Sequence, residues 1–192
     1  NLPVETDKLL SEFIRKAGLI TDEQGEDAKG MAEAMGCGLV SAAIDIGAVT
    51  EQQIMEKFCE SYGLQQSKTS LNEIKNRPLS ETVTDQFILK NRVVPIDAVG
   101  DKLYVAVADP SAMEAFNNMQ VMSDTNLVEA SVVSLSQMQT YLEKLKSRMD
   151  DDFLRNLEAM ERGEAPSYME LQAARANQES AIPDYLLEEG EQ

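Results

Sequence analysis

The chemistry open to this chain of 192 residues is limited by one side chain and several motifs that it lacks. It contains no histidine, so the most common general base and metal ligand is missing. It also lacks a phosphate-binding GxxxxGK(S/T) loop, a GxSxG nucleophile turn and an HExxH zinc motif. These absences predict a protein that is not an enzyme and that uses no cofactor.

Two other groups of residues could do chemistry. The run Asp150-Asp151-Asp152 offers three carboxylates. It has neither the central glycine nor the distant glutamate of an EF-hand loop, which favours a solvated charge run over a cation site. Cys37 and Cys59 have no CxxC partner and are too few for a disulfide framework, so we expect half-buried apolar residues in a reducing compartment. The sequence predicts no metal site.

The chain is strongly acidic, with a formal net charge of −17. Residues 150–192 contribute −9 of this charge, through 12 acidic residues and three arginines. Such a field repels phosphate backbones and anionic lipid, so we expect no nucleic-acid partner and no direct membrane binding. The sequence shows no membrane span and no signal pattern. It therefore predicts a cytoplasmic protein that reaches a membrane only through a partner.

A turn sequence occurs twice, at an offset of 29 residues: Gly18-Leu19-Ile20-Thr21-Asp22-Glu23-Gln24 and Gly47-Ala48-Val49-Thr50-Glu51-Gln52-Gln53. In each copy we expect the glycine to end one helix in the left-handed conformation. The threonine should cap the next helix, with the glutamine three residues later completing a capping box. A repeat of this length is one supersecondary unit, so the sequence predicts two helical pairs that pack together.

The sequence predicts an α+β fold in three parts. Residues 1–66 form a helical repeat subdomain, residues 67–149 a small α/β subdomain, and residues 150–192 an acidic linker or docking tail. The middle part follows a β-β-α-β-α order, which packs as a small sandwich with helices on one face of a sheet.

Several residues of the middle part have predicted roles. Pro95 cannot donate a ladder hydrogen bond and belongs at a sheet edge or a bulge. Ser80 and Ser134 are expected to cap helices, and Asp109 to cap a helix with Pro110 in its first position rather than to form a functional loop. Helical spacing predicts core positions, rather than an adaptable binding surface, for Met113, Met119 and Met122.

The doubled Gly-x-(Ile/Val)-Thr-x-x-Gln unit is followed by Val94-Pro95-Ile96 and by a strand that ends in Ala108-Asp109-Pro110. Together they resemble the N-terminal domain of type II secretion and type IV pilus assembly ATPases, called the MshEN or GspE N-terminal domain. The resemblance covers roughly residues 7–146. It implies a module in front of a hexameric motor, which docks the motor on an inner-membrane platform protein or, in many pilus ATPases, binds cyclic di-GMP. ATP hydrolysis in those proteins lies in a downstream domain.

The nucleotide-binding members of that family carry Arg-Leu-Gly nine residues before each turn glycine. The corresponding positions here are Leu9-Leu10-Ser11 and Gly38-Leu39-Val40, which keep the leucine but lose the arginine and the glycine. Arginine offers a bidentate fork to guanine or phosphate, and glycine allows a close backbone approach. We therefore expect Leu10 and Leu39 to be core residues, and cyclic di-GMP binding is disfavoured.

The hypothesis from the sequence is a non-catalytic regulatory or docking module of a type IV pilus or type II secretion system. Its expected partner is the platform protein or the ATPase core. One alternative is a cyclic di-GMP sensor that uses Arg15, Lys16 or Lys8 in spite of the degenerate motif. Another is a stand-alone adaptor protein.

Overall fold

The computed structural model describes residues 2–74, 83–122 and 127–163. The helices in these ranges are α1 (Val4–Lys16), α2 (Asp22–Met35), α3 (Leu39–Asp45), α4 (Glu51–Tyr62), α5 (Asp85–Asn91), α6 (Met113–Met122) and α7 (Leu135–Glu161). The strands are β1 (Gln65–Gln66), β2 (Val94–Val99), β3 (Lys102–Val107) and β4 (Val128–Val132). Short 3₁₀ helices occur at Leu71–Glu73 and Pro110–Ala112. The predicted α+β class is confirmed.

Both copies of the predicted helical repeat close in the same way. Gly18 and Gly47 have φ values of 75° and 77°, the left-handed conformation that ends α1 and α3. Thr21 and Thr50 each accept a hydrogen bond of 3.1 Å from the N–H of the glutamine three residues later. That glutamine returns the bond, because its Oε1 accepts from the threonine N–H at 2.9 Å in both copies. The predicted turns and capping boxes are confirmed.

The two copies differ at their first helices. Since α1 has 13 residues and α3 has seven, the stretch 4–9 of α1 has no counterpart in the second copy. This stretch contains Thr6, which is 4% exposed, and Asp7, which reaches the start of α3. The added turns of α1 therefore make one contact outside the repeat, from Thr6 to Ser111, and one within it, from Asp7 to α3.

The four strands form one sheet in the order β1-β4-β3-β2. β4 runs parallel to both of its neighbours, whereas β2 and β3 form an antiparallel pair. Pro95 lies in the edge strand β2, and the register shifts between Pro95 and Asp97. Both parts of the Pro95 prediction, the edge and the bulge, are confirmed.

The sheet is covered on both faces at one end, which corrects the expectation of helices on one face only. Val105 and Ala106 are both fully buried, and neighbouring residues of a strand point to opposite faces. The cause is β1, which follows α4 directly and joins the helical repeat to the sheet beside β4. At the other end, Glu129 is exposed and pairs with Lys102 at 2.6 Å.

The predicted helix caps of the middle part have mixed outcomes. α5 is capped by Thr84, whose Oγ1 accepts from the Phe87 N–H at 3.1 Å. The assignment of this cap to Ser80 is therefore wrong: Val83 forms an isolated β-bridge, so the helix begins only after it, and Ser80 itself lies outside the described residues. Ser134 caps α7 as predicted.

The predictions for the segment that begins at Asp109 are confirmed. Its carboxylate accepts from the Ser111 N–H at 2.8 Å, with Pro110 in the first helical position. Met113 and Met119 are buried, whereas the side chain of Met122 lies outside the described residues.

The last helix continues past the predicted boundary at residue 150. α7 has 27 residues and ends at Glu161. Its first turn contacts the repeat, because the Ser136 hydroxyl donates to Glu51 Oε1 at 2.5 Å. Across the described ranges, no helix combines the length and the apolar character that a bilayer span requires. The rest of the predicted acidic tail, 164–192, lies outside the described residues.

A buried ion pair connects the sheet to α1. Arg92 is 4% exposed, and its Nε donates to Oδ2 of the fully buried Asp109 at 3.0 Å. The other carboxylate oxygen, Oδ1, accepts from both the N–H and the hydroxyl of Ser111. The Ser111 hydroxyl lies 3.2 Å from the Thr6 hydroxyl. A continuous polar chain thus runs from the end of α5 to the start of α1.

The two capping boxes should contribute equally to stability. We expect Thr21→Ala and Thr50→Ala each to lower the free energy of unfolding by about 1 kcal/mol, because each leaves a helix N–H without its acceptor. Urea denaturation followed by circular dichroism measures this. Thr69→Ala is the control, since the Thr69 side chain caps no helix in the described structure. A lower free energy of unfolding in only one of the two variants would contradict the equivalence of the repeats.

Breaking the buried ion pair should cost more. We expect Asp109→Ala to lower the free energy of unfolding by about 3 to 5 kcal/mol, because it leaves the Arg92 guanidinium buried without its partner. The double variant Arg92→Met/Asp109→Ala should lose much less than the sum of the two single losses. Additive losses in denaturant melts would show that the pair is not coupled.

Candidate functional site

The predicted ligand positions lie around a cleft of about 630 Å³ between α1, α2 and α3. Three of the six positions line this cleft (Ser11, Leu39 and Val40) and three do not (Leu9, Leu10 and Gly38). Leu10 is fully buried, which confirms its predicted core role. Leu39 is 37% exposed, so its core prediction is wrong. The reason is that Leu39 begins α3 and has no preceding turn to cover it, whereas Leu10 lies in the middle of α1.

The rim of the cleft carries both signs of charge. Its cations are Lys8 and Arg15, two of the alternative ligand candidates, together with Lys29, which no sequence motif singles out. The third candidate, Lys16, does not line the cleft. Four carboxylates share the rim: Asp7, Glu12, Asp22 and Glu26. Carboxylates outnumber cations, so the cleft is not an electropositive pocket for a dianion.

Asp7 occupies the start of α3. Its Oδ2 accepts from the Leu39 N–H at 2.9 Å, and its Oδ1 accepts from the Val40 N–H at 3.0 Å. The N-cap residue of α3 is Gly38, which has no side chain that could satisfy these donors. Asp7 therefore caps α3 from another helix, and its negative charge favours the N-terminal end of the helix dipole.

Gly38 is explained by the same contact. A Cβ at this position would lie 2.8 Å from Asp7 Oδ1, closer than real Cβ atoms approach, and 3.1 Å from its Cγ. The absence of a side chain at Gly38 thus leaves room for the Asp7 carboxylate. Ser11, another of the predicted positions, makes a hydrogen bond within α1: its hydroxyl donates to the Asp7 carbonyl oxygen at 2.6 Å.

The floor of the cleft is apolar. Buried side chains form it: Ile14, Ala28, Val40 and Ala43. Two apolar residues stand more exposed among the lining residues, Val4 at 83% and Leu39 at 37% exposure. An apolar floor beneath a rim of mixed charge suits a protein segment, whose own apolar and charged side chains can meet both.

The remaining candidates for chemistry lie apart from this cleft. Cys37 and Cys59 are free and half-buried, as predicted. Burial raises the pKa of the Cys59 thiol above its ordinary value, which keeps it protonated near neutral pH. Asp150, Asp151 and Asp152 are exposed on α7. Within the described part of the chain, no group of three or more such side chains could hold a metal ion.

A family model and two curated relatives match parts of this chain. Residues 69–152 match the MshEN domain. The chain is 27% identical over 129 residues to the type IV pilus assembly ATPase PilB of Myxococcus xanthus, and 23% identical over 112 residues to PilB of Pseudomonas aeruginosa. These alignments cover 66% and 58% of this chain but only 22% and 19% of the relatives, so the chain spans about a fifth of the length of the curated relatives it matches.

Two solved structures also match the chain, at low similarity. A structure of MshE with cdg shares 17% identity and a TM-score of 0.45, covering 71% of this chain and 97% of that one. The N-terminal domain of XpsE also shares 17% identity and a TM-score of 0.45, covering 72% and 94%. The MshEN match confirms the resemblance predicted from the sequence, to the N-terminal domains of pilus and secretion ATPases.

The contact between Asp7 and Gly38 makes a sharp mutational prediction. We expect Gly38→Ala to lower the free energy of unfolding by about 1 to 2 kcal/mol, because the new methyl group displaces the capping carboxylate. Gly30→Ala is the matched control: it lies in open space in α2 and should stabilise by up to about 1 kcal/mol. Chemical denaturation measures both changes.

The same contact predicts that the two residues are coupled. In an Asp7→Ala background the carboxylate is gone, so Gly38→Ala should lose most of its effect. An unchanged cost of Gly38→Ala in that background would show that the glycine serves something other than Asp7.

Proposed function

We propose that this chain, whose residues 69–152 match the MshEN domain, is a non-catalytic docking module of a type IV pilus or type II secretion ATPase system. Its partner is a protein of that machine, the platform protein or the ATPase core, and the partner binds at the cleft between α1, α2 and α3. The observation that carries this proposal is the Asp7 carboxylate on the first N–H groups of α3.

This carboxylate bears directly on the alternative ligand, cyclic di-GMP. The degenerate position Gly38 supplies no cation, and the space beside it is filled by Asp7. A nucleotide phosphate placed there would meet a negative charge instead of an arginine fork. The overall charge of −17 adds a long-range penalty for any dianion.

The surface chemistry of the cleft supports a protein partner. Val4 and Leu39 expose apolar surface beside a buried apolar floor. The charged rim offers both signs, which fixes the register and orientation of a peptide or helix more than it adds affinity. Such a site needs no catalytic group.

One observation keeps the nucleotide hypothesis as a second candidate. Lys8, Arg15 and Lys29 line the cleft, and no carboxylate of the described residues lies within 4.0 Å of their charged groups as an ion pair. These cations could turn toward a phosphate. A direct binding measurement separates the two candidates.

Calorimetric titration with cyclic di-GMP should show no saturable heat, because Asp7 and the other rim carboxylates offset the three cations. Saturable binding at micromolar concentration or below, lost in Arg15→Ala and kept in Lys16→Ala, would overturn this prediction in favour of the nucleotide. Lys16 is the matched control because it is exposed on the same helix but does not line the cleft.

Docking is tested with the cytoplasmic part of the platform protein from the same genome, immobilised for interferometry. We expect saturable binding that weakens at least about tenfold in Leu39→Asp, since a charge replaces apolar contact area. Val121→Asp is the control, because Val121 is 77% exposed on α6 and does not line the cleft. Equal affinity of both variants would exclude the cleft as the docking surface.

A further inference from the structure

The outer part of α7 carries an apolar stripe that no described residue covers. In the first part of the helix, the stripe packs into the core through Met138, Leu142 and Leu145, which are all buried. The same face of the helix continues through Met149, which is half-buried against the core, and then through Phe153, Leu157 and Met160. Of these, Phe153, Leu157 and Met160 are 41%, 40% and 47% exposed.

The spacing shows that these residues form one continuous surface. At about 100° per residue, positions 149, 153, 157 and 160 fall on the side of the helix that also holds Leu142. A helix keeps a core-facing stripe of this kind where something packs against it. The stripe therefore marks a contact surface beyond the cleft and on a different element.

Acidic residues border this stripe on both sides. Asp150 and Glu161 flank it on one edge, and Asp152 flanks it on the other, by the same helical geometry. Residues 150–161 hold five carboxylates and one arginine, Arg155, which pairs with Asp152. The surface is thus apolar along its middle and negative along the edge of Asp150 and Glu161, whereas Asp152 on the other edge is paired with Arg155.

The charge pattern argues against two possible occupants of the stripe, a second copy of the chain and the segment 164–192. A second copy of the chain would bring the same negative borders against each other. The segment 164–192 holds seven acidic residues and one arginine, so it is also repelled. A basic occupant removes both penalties, because its cations would meet carboxylates across the rim of the contact.

We propose that residues 149–161 of α7 dock an amphipathic helix of a partner protein whose apolar stripe is bordered by lysine or arginine. Helix-to-helix recognition of this kind uses apolar anchors at spacings of three and four residues, which is the pattern on α7. The surface is separate from the cleft between α1, α2 and α3, so either proposal can fail while the other stands.

The probe is a 14-residue peptide with leucines at the helical spacing of three and four and lysines elsewhere, titrated into the full chain by fluorescence anisotropy. A peptide of the same pattern with glutamate in place of lysine is the control. We expect the lysine peptide to bind and the glutamate peptide not to bind. Affinity should fall about tenfold or more in Phe153→Ala/Leu157→Ala, which keeps every charge and favours the helix.

Matched variants separate the stripe from general acidity. Val121→Ala should bind the peptide like the unaltered chain, because the exposed apolar side chain it shortens lies on α6 and not on the stripe of α7. Asp150→Asn/Asp152→Asn should weaken binding and reduce its dependence on salt, since both borders lose a charge. Circular dichroism of each variant verifies that the helix content is retained.

Three outcomes would overturn the proposal. Equal affinity of the Phe153→Ala/Leu157→Ala variant and the unaltered chain would mean that the peptide binds acidic surface in general. Sedimentation as a dimer that is lost in this variant would assign the stripe to a second copy. Stronger peptide binding, by about tenfold, after removal of residues 164–192 would assign the stripe to that segment.

Discussion

The arrangement of this molecule depends on one buried ion pair, between Arg92 and Asp109. Buried charges are stabilised by pairing and hydrogen bonding, and here the Asp109 carboxylate accepts from the Arg92 Nε and from the N–H and hydroxyl of Ser111, while Arg92 Nη2 makes no hydrogen bond to the described residues. Through Ser111 the network reaches Thr6 in α1. Because Asp7 is the next residue, the position of α1 that satisfies the pair also places the cap on α3. The sheet and the cleft are thus held by one set of contacts.

That coupling explains the residue at position 38. Once a carboxylate from α1 caps α3, a side chain at position 38 is an obstacle, and glycine is the residue that fits. The cleft beside it keeps an apolar floor and a rim in which carboxylates outnumber cations. These properties are the basis of the proposed recognition of a protein segment rather than a phosphate.

Local features of the structure could be predicted from the sequence, and distant contacts could not. The capping boxes of Thr21 and Thr50 could be predicted because the partner glutamines lie only three residues away. The edge position of Pro95 could be predicted because proline lacks an N–H. Asp109 was predictable as a cap but not as the partner of Arg92, which lies 17 residues away. Asp7 and Val40 are 33 residues apart. The only local trace of their contact is a helix that starts at a glycine without any capping side chain.

The length of α7 gives the molecule a property that its compact part lacks. Twenty-seven residues make a helix of about 40 Å, which is held to α4 through Ser136, to the 3₁₀ helix before α5 through Gln137, and to the core as far as Leu145. A tilt of this packed part becomes a displacement at the end of the helix that grows with distance from Leu145. Since Glu51 lies in the first turn of a repeat helix, a shift of that helix would be carried outward and enlarged.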